Sequence, residues 1–163
     1  MRTSLIPRHR AQESGQAVVE FALFLPIILL LLFGAVNVSI LFNNITSQDG
    51  AVRDSARYAS INPASFSTNT PPDANSIQGI AYAENTSLTP DAITINYYYP
   101  DGGLCGTYTA GDGFVGDQTD CTQPGYFVQV VGKVIYTPAI INVFSGFGSG
   151  GLPISTSYEF VIQ

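Results

Sequence analysis

The first sixty residues contain two different patterns of hydrophobic and polar positions. From Ala17 to Phe42 the chain is almost wholly apolar, and its few interruptions are Glu20, Pro26, Gly34, Asn37 and Ser39. A helix over residues 21–42 would measure about 33 Å, which is enough to cross the roughly 30 Å hydrocarbon layer of a bilayer. The sequence therefore predicts one membrane-spanning segment.

The helical pattern continues beyond the apolar stretch as an amphipathic helix. Apolar residues recur at helical spacing among polar and charged ones, at Ile45, Val52, Ala56 and Ala59. Such a stripe is typical of a helix that packs on a folded domain. We expect one helix from about Ala17 to Tyr58, with a membrane-spanning first half and a second half that covers the outer domain.

Three later segments alternate apolar and polar residues with the period of a β-strand. The residues that share a face are Ile93, Ile95, Tyr97 and Tyr99 in the first segment, Val128, Val130, Val134 and Tyr136 in the second, and Ile154, Tyr158, Phe160 and Ile162 in the third. A short helix is expected from Asn75 to Asn85. Because a small sheet needs a packing partner, the prediction is an α+β fold in which the long helix packs on a small antiparallel sheet.

Charge is distributed unevenly along the 163 residues. Of the six Lys and Arg residues, Arg2, Arg8 and Arg10 precede the apolar stretch, and the rest of the chain is acidic. The positive-inside rule therefore places the N-terminus in the cytoplasm. An acidic domain also disfavours nucleic acid as a partner, because affinity for the phosphate backbone depends on clustered cations. A removable secretory signal is the alternative to an anchor, but the stretch is longer than such signals and no clear cleavage site follows it.

The residue types limit the chemistry that the chain can perform. The single histidine, His9, lies in the basic N-terminal segment, so neither a histidine-dependent nucleophile nor a common catalytic zinc site is expected. Cys105 and Cys121 are spaced for a structural disulfide, which indicates an oxidising compartment. A hydrolase that uses Asp112 and Asp117 is a remote alternative, because nothing in their spacing requires it.

Two residues inside the apolar stretch each allow two interpretations. A carboxylate in the membrane costs about 2.5 to 3.5 kcal/mol and usually marks a partner, so Glu20 is expected either to pair with a cation or to reach headgroup water. Pro26 cannot donate a hydrogen bond to the carbonyl of Ala22. It predicts a local bend, either as a functional hinge or as a tolerated membrane proline.

Two loops of the outer domain also have alternatives. The segment from Asp101 to Gly125 is expected to be a solvated loop closed by the disulfide, without a cofactor. Calcium is a weaker alternative, with ligands from Asp101, Asp112, Asp117 and Asp120, although EF-hand spacing is absent. The apolar segment from Ala139 to Gly151 is expected either to contact a partner or to fold over the edge of the sheet.

The segment Glu13-Ser-Gly-Gln-Ala-Val-Val-Glu-Phe-Ala-Leu-Phe-Leu-Pro, followed by a leucine-rich run, resembles the N-terminus of TadE-like proteins. These are pseudopilins of the tight-adherence (Tad, or Flp) pilus system. The later segment Asp49-Gly-Ala-Val-Arg-Asp-Ser-Ala-Arg-Tyr-Ala is similar to the end of the family's first helix. The resemblance implies a pilin-like fold and cleavage by a prepilin peptidase after Gly15, so that Gln16 becomes the N-terminus and Glu20, before Phe21, becomes the fifth residue.

The expected organisation follows from the pattern and the resemblance together. It comprises a basic leader (1–15), a transmembrane helix (16–43), its amphipathic continuation (44–60) and an extracytoplasmic domain (61–163). The resemblance implies a noncatalytic minor pilin of the bacterial inner membrane that takes part in assembling an adhesive pilus. Its partners would be other pilin or pseudopilin subunits, the prepilin peptidase and the inner-membrane assembly machinery, with Glu20 and Pro26 in the assembling helix. The alternative is a single-pass anchored binding module that is neither cleaved nor polymerised.

Overall fold

The structure, a computed structural model, describes residues 10–137 and 151–163, with side chains from residue 15 onward. The chain divides into two compact units. The first unit ends at Ile40, and the second, which we call the outer unit, begins at Leu41. A single long helix forms the described part of the first unit and the beginning of the second. The apolar segment from Ala139 to Gly151 was expected to contact a partner or to fold over the edge of the sheet. It lies outside the described residues except for Gly151.

Helix α1 runs from Arg10 to Ile61. Leucine and alanine, which favour helix, predominate in its sequence, and the helix continues through Pro26 without a break. It ends next to Pro63, since a proline disfavours helical geometry in the residue before it. The backbone N–H of Asn62 still donates to the carbonyl of Tyr58, at 2.9 Å. The single long helix expected from the sequence is therefore confirmed, and it extends beyond the expected range at both ends.

Five strands form one antiparallel sheet in the described part of the second unit. They are β1 (Ile93–Tyr98), β2 (Leu104–Thr109), β3 (Gly113–Val115), β4 (Phe127–Tyr136) and β5 (Leu152–Val161), in the spatial order β3-β2-β1-β4-β5. The central strand β1 pairs with β2 on one side and with β4 on the other. Strands β4 and β5 pair along their whole length, from Phe127 opposite Val161 to Tyr136 opposite Leu152. The α+β fold with a small antiparallel sheet is thus confirmed.

The described part of the chain also contains three short helical segments, two between α1 and β1 and one between β3 and β4. They are α2 (Ile77–Glu84), a 3₁₀ turn (Pro90–Ala92) and α3 (Gln118–Cys121). Helix α2 confirms the short helix expected near residue 80. Ser76 caps it, because its Oγ accepts a hydrogen bond from the N–H of Gly79 at 2.9 Å, and a cap of this kind typically contributes about 1 kcal/mol.

The core lies between the second half of α1 and the inner face of the sheet. Helix α1 contributes small buried residues, among them Ala51, Ala56 and Ala59, and the sheet contributes Ile95 and Val130. Small side chains allow a helix to approach a sheet closely. The hydroxyl of Tyr97 donates to the carbonyl of Pro63 and so ties β1 to the connection that follows α1.

The structure corrects three details of the expected fold. The segment from Asp101 to Gly125 is not simply a solvated loop, because it contains β2, β3 and α3. Tyr99 lies just beyond the end of β1. Ile45, expected in the buried stripe of α1, is exposed, and the nearby buried residue is Gln48. The side-chain amide of Gln48 donates hydrogen bonds to carbonyl groups of the sheet. An apolar side chain at position 48 would leave those carbonyls without this donor.

Candidate functional site

The described large apolar side chains of the first unit are all exposed. Val18 is 66% exposed and Leu31 is 65% exposed, and the other large apolar residues up to Ile40 are similar or somewhat less exposed. A soluble monomer rarely exposes so large an apolar surface. The helix is long and apolar enough to cross a membrane, so hydrocarbon or neighbouring apolar helices are the environment that fits this surface.

One carboxylate lies on this apolar surface. The side chain of Glu20 accepts a hydrogen bond at Oε1 from Nε2 of Gln16, one helical turn earlier, at 3.2 Å. The other side chains within reach of Glu20 on the same helix, at Ala17, Leu23 and Phe24, are apolar. Glu20 is therefore an acidic group whose surroundings on its own helix supply one neutral side-chain donor and no cation.

The other polar groups of the apolar stretch bond to their own helix. The amide of Asn37 donates to the carbonyl of Phe33 at 2.7 Å, and the hydroxyl of Ser39 donates to the carbonyl of Ala35 at 2.9 Å. Such bonds to the preceding turn reduce the cost of placing a polar side chain in hydrocarbon, because they pair one of its donors. They distinguish these two residues from Glu20, whose charge no backbone bond of this kind can neutralise.

The other residues predicted to take part in processing are also on α1. A Cβ atom at Gly15 would meet no described atom within 4 Å, so packing does not require glycine there. Glycine inside a helix is less favourable than alanine by about 1 kcal/mol. Phe21 is 61% exposed. The structure therefore brings Gly15, Gln16, Glu20 and Phe21 together on two accessible turns of helix.

The four candidate calcium ligands do not form one site. Asp117 caps α3 by accepting from the N–H groups of Thr119 and Asp120. The carboxylate of Asp112 accepts from the hydroxyl of Thr109, and the backbone N–H of Asp112 donates to the same hydroxyl. Asp101 accepts from the N–H of Gly103 at 2.9 Å. Over residues 15–137 and 151–163, no three His, Cys, Asp or Glu residues are close enough to hold a metal ion.

Cys105 and Cys121 form a disulfide, as the sequence predicts. The bond joins β2 to α3, with the buried Cys121 in the core cluster. Nearby, Asp120 accepts a hydrogen bond from the hydroxyl of Tyr99 at 3.2 Å. Because ionising the hydroxyl would lose this bond, Asp120 raises the pKa of Tyr99.

A second acidic feature lies between α1 and α2. Asp54 on α1 is a neighbour of Glu84 on α2, and the hydroxyl of Ser47 donates to the carbonyl of Glu84 at 3.3 Å. Burial raises the pKa of Glu84, and the neighbouring Asp54 raises it further. A contact of this type holds only while the pair retains a proton.

The hollows on the described surface of the outer unit include two that border α1. One, of about 160 Å³, is lined partly by the side-chain amides of Asn44, Gln48 and Asn85. The other, of about 260 Å³, is an open depression that includes Asp54, Arg57 and Tyr58. Neither contains a nucleophile beside a base, which is the arrangement that covalent catalysis needs.

Sequence patterns missed two residues that position α1 on the sheet. The buried side chain of Gln48 donates to the carbonyls of Gly132 and Ile154, at 2.9 and 3.3 Å. At Gly132 a Cβ atom would lie 2.5 Å from Cγ2 of Val52. A glycine in the middle of a largely apolar strand was the available signal, because it often marks a close approach of another element.

Comparison with known proteins gives one family. The model of the TadE-like protein family matches residues 15–57, a segment that lies entirely within α1 and begins at Gly15. Neither the curated proteins nor the solved structures include a significant match to the chain. The match supports the resemblance at the helix that carries it and provides no information about the sheet.

Proposed function

We propose that this TadE-like protein is a noncatalytic pseudopilin, or minor pilin, that takes part in assembling a Tad (Flp) pilus for surface adhesion. The observation that carries the proposal is the exposed apolar part of α1, residues 15–40, in which Glu20 is the one acidic residue. The family match over residues 15–57 covers this helix. Helix α1 is the part of the molecule that contacts other subunits.

Three observations support an inner-membrane protein with an extracytoplasmic domain. The helix is long enough to span a bilayer. The segment before it is basic, which favours a cytoplasmic N-terminus. The disulfide between Cys105 and Cys121 is typical of an oxidising compartment outside the cytoplasm. The chain is therefore anchored in the inner membrane before it enters the pilus or its base.

Processing occurs between Gly15 and Gln16. A larger side chain would fit at position 15, so packing does not explain why the residue is glycine. Recognition by a prepilin peptidase does explain it. Cleavage gives Gln16 a free α-amino group, which is positively charged near neutral pH. It also makes Glu20 the fifth residue of the mature chain.

Assembly brings Glu20 of one subunit to the N-terminal amine of another. A carboxylate is costly in hydrocarbon unless a cation and hydrogen bonds compensate for its lost hydration. The new amine supplies such a cation at a similar depth. This pairing would set the axial register between neighbouring helices, while the apolar side chains around Glu20 pack against each other. The bend associated with Pro26 would adjust that packing.

The outer domain has no catalytic role in this proposal. The chain has one histidine, in its N-terminal basic segment. Of the candidate acids of a hydrolase, Asp112 accepts a hydrogen bond from the hydroxyl of Thr109 and Asp117 accepts two from the N-terminus of α3. These roles are structural, so the domain is the part that the assembled subunit presents at the surface.

Substitution of Glu20 by glutamine tests the function. Glu20→Gln keeps the shape and removes the charge, so the subunit should insert and be cleaved but its incorporation into sheared pili should fall at least tenfold. Glu159→Gln makes the same change on the exposed face of β5 and should leave incorporation unchanged. Normal incorporation of the Glu20 variant would contradict the register role. An uncleaved, unassembled wild-type protein would favour the anchored binding module.

A further inference from the structure

We propose that Gln16 holds Glu20 within the same subunit until a neighbouring subunit supplies its amine, which makes Gln16 a positioning residue for assembly. This inference rests on the proposed function, and it adds a role for the side chain of the residue that becomes the mature N-terminus. The side-chain amide is the temporary partner, and the α-amino group of another subunit is the final one.

The geometry of α1 places the two groups together. Gln16 and Glu20 are four residues apart, so their side chains lie on the same face of the helix. The Nε2 atom of Gln16 is 3.2 Å from Oε1 of Glu20. Cleavage after Gly15 leaves both side chains in the mature chain, so this bond survives processing.

Among the side chains one turn from Glu20, Gln16 has no competitor for this role. The positions one turn from Glu20 are occupied by Gln16 and Ala17 on one side and by Leu23 and Phe24 on the other. Of these four side chains, only the amide of Gln16 donates hydrogen bonds. A subunit alone in the bilayer therefore has one side chain that can reduce the cost of the embedded carboxylate.

The relative strengths of the two partners make the exchange possible. An ammonium carries a full positive charge, so it attracts a carboxylate more strongly than a neutral amide does, particularly where the dielectric constant is low. The neutral amide of Gln16 therefore stabilises the lone subunit without preventing the later pairing. The hydrogen bond between Gln16 and Glu20 must break before Glu20 can pair with another subunit. The affinity between subunits is therefore reduced by the free energy of that bond.

Self-association of the processed chain, residues 16–163, tests this inference. Copies labelled at the C-terminus with donor or acceptor dyes would be reconstituted in vesicles of phosphatidylcholine and phosphatidylglycerol, and the dissociation constant obtained from energy transfer. Gln16→Ala keeps the amine but removes the competing amide. It should lower the dissociation constant about threefold, given the average strength of hydrogen bonds between membrane helices. In a Glu20→Gln background the same change should have no effect.

The controls separate this inference from the function on which it rests. Gln163→Ala makes the same change at an exposed C-terminal residue and should leave association unchanged, while Gln16→Met replaces Gln16→Ala if alanine impairs processing. An unchanged or higher dissociation constant for the Gln16 variant would overturn the inference, as would an equal effect without Glu20. If Glu20→Gln alone leaves association unchanged, the proposed pairing between subunits fails as well.

Discussion

Gly132 decides how closely α1 can approach the sheet. A Cβ atom there would lie 2.5 Å from Cγ2 of Val52 and 3.0 Å from Cδ2 of Leu88. Both neighbours are fully buried, so neither can move into open space. The carbonyl of the same residue accepts the buried amide of Gln48. One glycine in β4 therefore serves both the packing and the hydrogen bonding of the helix.

Substitution of Gly132 by alanine should destabilise the outer unit. We expect the free energy of unfolding to fall by about 1 to 3 kcal/mol, the usual cost of forcing an extra carbon into a packed core. Denaturant unfolding of the full chain in detergent, followed by near-UV circular dichroism, would measure it. Gly111→Ala is the matched control, because its Cβ would meet nothing within 4 Å. Equal stability of the two variants would contradict the role of Gly132.

Residue-level sequence reasoning succeeded where burial follows hydrophobicity. Ile93, Ile95 and Tyr97 are buried on one face of β1 as their alternation predicts. It failed at Ile45 and Gln48, since the helical period alone could not show that a polar side chain would meet two strand carbonyls. That information depends on the register of β4 and β5 against α1, which the sequence does not reveal.

At the scale of elements, α1 and α2 are joined by a pair of acids. Asp54 is a neighbour of Glu84, and the pKa of Glu84 is raised above its ordinary value near 4.5 by burial and by Asp54. The folded chain therefore binds this proton more tightly than the unfolded chain does. The stability that the proton confers is fully present below pH 4.5 and is lost as the pH rises through the raised pKa.

Replacing Glu84 by glutamine should remove this pH dependence. At pH 7 we expect Glu84→Gln to be more stable than the wild type in denaturant unfolding, because the like charges of the pair are gone. At pH 4 the two proteins should have the same midpoint. The exposed Glu159→Gln serves as the control. A wild type that is at least as stable as the Glu84 variant at pH 7 would contradict this account of the pair.

The disulfide is the second link between elements, joining β2 to α3. Without the disulfide the unfolded chain gains conformational entropy. The free energy of unfolding should therefore fall by about 3 kcal/mol. Unfolding of the full chain with and without a reductant would measure the difference. A variant with alanine at Cys105 and Cys121 should not respond to the reductant. An equal response of wild type and variant would show that the reductant acts elsewhere.

Sequence patterns predicted the elements with strong periodicity. The long helix, α2 and the three strands β1, β4 and β5 were expected and are present. The patterns missed β2 and β3, whose glycines, threonines and cysteine resemble a loop. These two strands are formed through pairing with β1 and with each other. Pairing between segments is a tertiary effect that local alternation does not show.

For the whole molecule, the contrast between the two units is what supports the function. The outer unit buries a core of apolar residues between its own sheet and helices, whereas the described large apolar side chains of the first unit remain exposed. The first unit therefore depends on lipid or on other subunits for burial. The family match lies mainly in this unit and ends within α1 of the outer one.

Intact-mass and N-terminal analysis of the chain extracted from the membrane fraction of producing cells tests the central claim most directly. The account predicts a membrane-bound protein that begins at Gln16 and lacks the preceding fifteen residues, while Gly15→Asp should retain them and remain outside the pilus. A wild-type chain that is recovered from the soluble fraction, or that keeps Met1 in cells with an active prepilin peptidase, would contradict it.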